Sequence, residues 1–116
     1  MTKSKNKGKN TAPHTLTSKD LDRVQFFSQV SDPVRHGVLT LLLKEKEISV
    51  TEILTKLKKP QTLISYHLRC LKEIGIVNGK KSEEDGRKTL YSLSDPVAIQ
   101  ELFTMADEFV EKAKKK

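Results

Sequence analysis

Residues 49–77, SVTEILTKLKKPQTLISYHLRCLKEIGIV, restrict the fold and the function more than any other part of the chain. Ile53, Leu54 and Leu57 mark the buried side of a short helix over about residues 50–57. Lys58, Lys59 and Pro60 make a turn, because proline disfavours helical geometry in the residue before it. A second helix is then predicted from Gln61 to about Ile74, with Ile64, Leu68 and Leu71 as its buried stripe and Gly75 as its end. Its outer face carries Gln61, Thr62, Ser65, Tyr66, His67 and Arg69. No acid lies between Glu52 and Glu73, whereas Lys56, Lys58, Lys59, Arg69 and Lys72 are basic. Amides, hydroxyls and a guanidinium reach base edges in a major groove, and no carboxylate is present to repel phosphate. The pattern predicts a DNA-reading helix pair.

A chain of 116 residues fits one domain with a modest core. The apolar run at residues 38–43 is broken by Thr40 and is far shorter than the roughly 20 residues that span a bilayer. No apolar region follows the basic beginning, so no secretory signal is expected. The lone cysteine, Cys70, rules out an internal disulfide framework and predicts a reducing, cytoplasmic setting. The net charge of +7 is segregated: residues 1–19 hold five lysines and no acid, residues 89–111 five acids and no base. Segregation predicts one side that faces DNA and another with a different task.

Residues 1–16 lack periodicity and cannot bury enough apolar surface to offset ordering entropy, so a disordered basic tail is expected, either solvated or acting as a DNA-contacting arm. The domain proper is expected over residues 17–113, with a basic end at 114–116. Thr17 and Asp20 form a capping-box pattern for a first helix, whose apolar face holds Leu21, Val24, Phe27 and Phe26. Ser31-Asp32-Pro33 starts a second, strongly apolar helix with Val34, Val38, Leu39, Leu41, Leu42 and Leu43, the expected centre of the core. Ile48, Ser49 and Val50 are a candidate short strand. After Val77, the Asp85-Gly86 pair signals a hairpin. Ser94-Asp95-Pro96 repeats the helix-start chemistry, and the last helix carries one stripe of Ile99, Leu102, Phe103, Ala106, Phe109, Val110 and Ala113. The predicted fold is mainly α with a small β-hairpin, a winged helix-turn-helix of order α-α-α-α-β-β-α. The last stripe outlasts the core left to cover, so it is expected to pair with a second copy, giving a homodimer with two-fold symmetry.

These residues resemble the ArsR/SmtB family of winged-helix regulators. SDPVR at 31–35 is similar to the family's DPxR opening, and SVTEILTKL at 49–57 to its following short helix. QTLISYHLRCLKEIGIV at 61–77 carries its S-x-H-L-x-x-L-x-x-x-G-I-V signature, and GRKTLYSLSDP at 86–96 its G-R-x-x-x-Y-x-L strand. The resemblance covers about residues 20–112. It implies a transcription regulator, usually a repressor on an imperfect inverted repeat, with the first and last helices forming the dimer interface: here Leu21, Val24, Phe27, Ile99, Leu102, Phe103, Ala106, Phe109 and Val110.

On the expected DNA face, Gln61 and Thr62 lie in the first helical turn, where approach to base edges is closest. Ser65, Tyr66 and Arg69 follow, with Arg69 suited to guanine or phosphate. His67 matches the family's recognition-helix histidine, and is open to two readings: a DNA contact, or a buried ring satisfied locally. Pro60 stands where the family often has a serine, which removes a hydroxyl cap. In the wing, Lys81, Arg87 and Lys88, with Lys80, flank the acidic tip Glu83-Glu84-Asp85; the bases are expected on phosphates and the tip in solvent.

The family's known metal sites are not matched. Ser49-Val50-Thr51-Glu52 has no thiol where arsenic and cadmium sensors carry Cys-x-Cys, and the last helix offers carboxylates without histidine, a poor donor set for zinc. No metal and no cofactor are therefore expected, and the inducer is not readable. Cys70 is open to two readings, a small half-buried apolar side chain or a thiol sensor that lacks a resolving partner within its own chain. His36 is expected on a helix surface. No catalytic constellation is present, so an enzyme is not expected. The competing class is a winged helix used as a protein-interaction module of a transcription complex.

Overall fold

In the computed structural model, which describes residues 15–115, each helix but one begins on a side chain that closes its first turn. Helix α1 (Ser18–Val30) starts from a full capping box between Thr17 and Asp20, as the sequence predicts. Helix α2 (Pro33–Glu45) starts at Asp32, whose carboxylate accepts from the backbone N–H groups of Val34 and Arg35. Helix α3 (Val50–Leu57) has a second capping box, Ser49 with Glu52, and helix α5 (Pro96–Lys114) is capped by Asp95. Helix α4 (Gln61–Glu73) follows Pro60 and has no side-chain cap. Such caps each contribute about 1 kcal/mol and set where the chain turns into each helix.

The strands are β1 (Ile48–Ser49), β2 (Val77–Lys81) and β3 (Thr89–Leu93), in antiparallel order β1-β3-β2. The expected order with two strands is thus short by one: the candidate strand at Ile48 pairs with Tyr91, and Ser49 with Leu90. The hairpin pairs Val77 with Leu93 and Lys81 with Thr89. Asp85-Gly86 lies in the loop between these strands, where Lys88 N–H donates to the Asp85 carbonyl at 2.9 Å and Ser82 N–H to that of Lys88 at 2.9 Å. It is therefore not the two-residue turn that an Asp-Gly signal most often marks. Gly79 faces the Tyr91 ring so closely that a Cβ would meet Cε1 at 3.0 Å, so any larger residue here would have to displace the ring. Gly75, at φ +82°, ends α4 in the left-handed region.

The core is built on Val38, Leu39 and Leu42 of α2. Ile53 of α3, Ile64, Leu68 and Leu71 of α4, Ile48, Ile76, Val77 and Leu93 of the sheet, and Ile99 of α5 complete it. Leu54 and Leu57, expected to be buried, are only half-buried, as are Val34, Leu41 and Leu43. In α1 the expected apolar face divides. Phe26 and Val30 pack on the core, whereas Leu21, Val24 and Phe27, at a spacing of three, are exposed. Ile99, assigned from sequence to an interface between copies, lies instead in the protomer's own core, 6% exposed. The helix stripe is wide enough for its first two turns, Ile99 and then Phe103, to serve the core and its later turns to stay outside.

The basic tail expected at 1–16 lies outside the described residues except for Thr15 and Leu16, and the end at 114–116 is described only to Lys115, with Lys114 still helical. No helix among the described residues is long and apolar enough to cross a membrane. Truncating Leu68 to Ala should cost about 2–5 kcal/mol of stability in a urea titration, through reduced burial and the cavity left behind. Val24→Ala, at an exposed position of the protomer, should stay within about 0.5 kcal/mol at concentrations too low for association.

Candidate nucleic-acid interface

The uncapped start of α4 is the first element of the site. With Pro60 at the cap, the backbone N–H groups of Gln61, Thr62 and Leu63 have no side-chain acceptor, and the first N–H to close a helical bond is Ile64, to the Pro60 carbonyl at 3.1 Å. Open amides at a helix N-terminus attract phosphate through the helix dipole. Lys58 takes the left-handed conformation, φ 56°, which folds the chain sharply from α3 into α4.

Gln61, Thr62, Ser65, Tyr66 and Arg69 are exposed along α4, on the side opposite Ile64, Leu68 and Leu71. The wing approaches the same side. A polar cleft of about 280 Å³ is lined by Thr51 of α3, Gln61 and Ser65 of α4, Arg87 and Lys88 beside the wing loop, and Tyr91 of β3. Helix and wing residues that lie more than twenty positions apart in sequence thus share one wall. Thr51 is not singled out by the sequence as a site residue; the signal available was an exposed hydroxyl in the first turn of the helix that precedes α4. Arg87 is 94% exposed and lies 3.4 Å from Asp85, so the acidic tip holds the arginine without burying it. Lys81 and Lys88 are exposed, while Lys80 pairs with Glu47 at 3.2 Å.

His67 does not belong to this exposed set. It is 6% exposed and faces α2, so the expectation of a direct DNA contact is corrected in favour of a buried, locally satisfied ring. Arg35 donates from Nε to His67 Nδ1 at 2.7 Å. The same guanidinium donates through Nη1 to the Gln29 side-chain oxygen and, at 3.5 Å, to the Gln29 carbonyl. Arginine carries no acceptor, so Nδ1 must present a lone pair and the ring proton must sit on Nε2, which points at Asp32 Oδ2 from 3.8 Å. Tyr66 covers the assembly: its ring centroid is 5.3 Å from that of His67 and lies 5.7 Å from the Arg35 guanidinium carbon and 5.6 Å from that of Arg69. Asp32 and Arg35 were legible only as a helix start, because His67, which both face, is more than thirty residues away in sequence.

Burial pushes the His67 pKa below its ordinary 6.5, the nearby Asp32 carboxylate partly opposes this, and the Arg35 charge reinforces it. Asp32 is held below 3.8 chiefly by the Arg35 N–H, against the effect of its desolvation, with the Val34 N–H, His67 and Arg35 helping.

Cys70 is half-buried and free. His36 is exposed and its ring lies 4.7 Å from that of Phe103. Among the described residues no cluster of His, Cys, Asp and Glu is arranged to hold a metal.

A three-stranded wing beside a helix pair with a bare helix start is the geometry of a winged helix-turn-helix regulator that binds DNA. Residues 32–79 match the model of the bacterial regulatory proteins of the arsR family. The chain is 36% identical to an HTH-type transcriptional regulator of Methanocaldococcus jannaschii over 84 residues, 72% of this chain and 90% of that protein. It is 43% identical over 63 residues to the HTH-type transcriptional repressor SmtB of Mycobacterium tuberculosis, 54% of this chain and 44% of that protein. A homodimeric winged helix-turn-helix DNA-binding domain from Mycobacterium bovis superposes with a TM-score of 0.70, at 21% identity and covering 82% of this chain and 87% of that one. The chain belongs to the ArsR family: it is a DNA-binding transcriptional regulator and not an enzyme.

Because the folded protein resists protonating His67, unfolded chains take up the proton first as pH falls below 6.5. Thermal stability should therefore hold above that value, decline as pH falls from it, and decline again below 3.8 as Asp32 is titrated. His67→Gln should remove the first decline and leave the second, as read from melting temperatures across a pH series.

Proposed function

We propose that the protein is a homodimeric transcriptional repressor that binds an inverted-repeat operator without using the family's known metal sites. The observation that carries this reading is the shared wall of α4 and the wing, where Gln61, Ser65, Arg87 and Lys88 line one cleft beside uncapped helix amides. Gln61, Thr62, Ser65, Tyr66 and Arg69 enter the major groove, and Lys81, Arg87 and Lys88 neutralise flanking phosphates. The acidic tip, Glu83 and Glu84, stays in solvent.

The dimer is supported by two exposed apolar rows. Leu21, Val24 and Phe27 stand out from α1, and Met105, Phe109 and Val110 from the outer turns of α5. Leu102 and Phe103 are half-buried and Ala106 exposed, so they join the second row. Two-fold pairing buries both rows and presents two α4 helices to successive major grooves, about 34–36 Å apart. Repression is supported by the name of the mycobacterial relative. The donor chemistry of α5, carboxylates from Asp107, Glu108 and Glu111 with neither histidine nor cysteine, supports a protein that does not respond to zinc.

An operator obtained by selection from random duplexes should be palindromic, and Gln61→Ala with Arg69→Ala should weaken it by about 1–3 kcal/mol for each base-reading side chain removed, at fixed salt. Undiminished affinity in that titration would sink the assignment of α4. Val24→Asp with Phe109→Asp should halve the molar mass seen by light scattering. A wild-type chain that is monomeric at about 50 µM and shows no sequence preference would favour a protein-interaction module instead.

A further inference from the structure

We propose that Arg35 is a positioning residue for DNA reading: its bond to His67 fixes the outer face of α4 against α2, and the bond holds only while His67 is neutral. The inference rests on the DNA-reading role assigned above to α4. Three observations carry it. First, the acceptor is unambiguous. A guanidinium Nε–H 2.7 Å from Nδ1 requires a lone pair there, and a second proton on the ring would set one donor against another. Second, the pair is sealed. Arg35 is 8% and His67 6% exposed, so water cannot easily replace either partner. Third, the pair is joined to the surface by Tyr66. Its ring centroid lies within 5.7 Å of the guanidinium carbons of both the buried Arg35 and the exposed Arg69. A displaced Arg35 removes one of the two cations that the Tyr66 ring holds, and Tyr66 and Arg69 both lie on the DNA side of α4.

The charged groups that face His67 are Asp32 and Arg35, both from the first turn of α2 or its cap, and α1 contributes the neutral Gln29 behind Arg35. A protonated ring would be repelled by Arg35 and drawn to Asp32 Oδ2, now 3.8 Å away. That oxygen already accepts the Val34 and Arg35 N–H groups at 2.9 and 3.1 Å, so the shift would also disturb the start of α2. Acidification thus loosens the seat of α4 from two directions at once.

The test compares affinity for the selected operator with affinity for a scrambled duplex of equal length, at constant salt, near pH 7.5 and near pH 5.5. The ratio removes the general gain of phosphate affinity that any added positive charge brings. For the wild-type chain the ratio should fall severalfold at the lower pH, with about tenfold as the ceiling for a ring that titrates below 6.5. His67→Gln keeps a carbonyl to accept from Arg35 and has no proton to gain, so its ratio should be flat. Arg35→Met should have a low ratio at both values while retaining affinity for the scrambled duplex. Imidazole nitrogen shifts give a readout that needs no DNA: His67 should show a bare Nδ1 and a protonated Nε2 near neutrality, and exchange of the Arg35 Nε–H should quicken with the same midpoint. A wild-type ratio that does not change, a His67→Gln ratio that falls alongside it, or a protonated Nδ1 near neutrality overturns the inference while leaving α4 as the reading helix. No preference for any sequence near pH 7.5 overturns the reading helix itself, and the inference with it.

Discussion

One row of side chains on α2 carries the rest of the molecule. Arg35, Val38, Leu39 and Leu42 recur at spacings of three, one and three, and all four are buried. Helices α1, α3, α4 and α5 and strand β3 all pack against α2. Three members of the row are aliphatic and act through burial alone, worth about 1.5–3 kcal/mol for each full side chain. The fourth is a guanidinium. A charge in that position is tolerable only with partners, since an unpaired buried charge costs several kcal/mol. The facing row on α4 is Ile64, His67, Leu68 and Leu71, at the same spacing. The two helices therefore meet aliphatic against aliphatic over most of their contact, and Arg35 against His67 at one end. Apolar packing has no direction, whereas the N–H···N bond has one, so the polar end of the row sets the register that the aliphatic part leaves loose.

The arrangement of caps follows a complementary logic. Thr17, Asp32, Ser49 and Asp95 commit their oxygens to the amides of α1, α2, α3 and α5. Only α4, among these helices, begins with a residue that has no side-chain acceptor. In a protein with no nucleic-acid partner this would be an unremedied end, open to improvement by about 1 kcal/mol through a serine or aspartate at position 60. On a DNA-facing helix the same open amides are an anion site, and a carboxylate cap would occupy it. Asp32 has a second task. Its carboxylate closes α2 and also faces His67, so the helix start and the seat of the reading helix share one group.

Much of this was legible in the sequence because it is local. The caps depend on residues two or three apart, the buried stripe of α4 on a period of 3.6, and the end of α4 on Gly75. The outward set Gln61, Thr62, Ser65, Tyr66 and Arg69 follows from the sequence alone, as the side of α4 left over once its stripe is assigned. His67 could not be placed on the same grounds. It lies one residue before Leu68, at the edge of the stripe, where periodicity does not separate inward from outward. Its direction is decided by Arg35, 32 residues away, and that pairing is tertiary. Ile99 failed for the related reason that a single stripe can serve two partners, and nothing within the helix marks where one gives way to the other. Strand β1, only two residues long, is too short for alternation to mark and shows in the sequence only as a short β-branched candidate at 48–50; pairing with Tyr91 and Leu90 holds it.

Segregated charge sets the two faces apart. Helix α5 has no base between Pro96 and Glu111, and its exposed acids Glu101, Asp107, Glu108 and Glu111 accompany the exposed apolar Met105, Phe109 and Val110. Carboxylates there would be repelled by phosphate, so this helix is poorly suited to the DNA side, while its apolar row needs cover that the described residues do not supply. The bases that face the proposed DNA side lie on α4 and in the wing, and α5 turns basic only after Glu111, at Lys112 and Lys114. In the proposed dimer the acidic helices pair away from the duplex and the basic faces point toward it, so one molecule-wide dipole orients each encounter before any base is touched. Such steering selects the face that lands on DNA but cannot choose a sequence. Choice is left to the few side chains of α4, and therefore to whatever holds α4 in place.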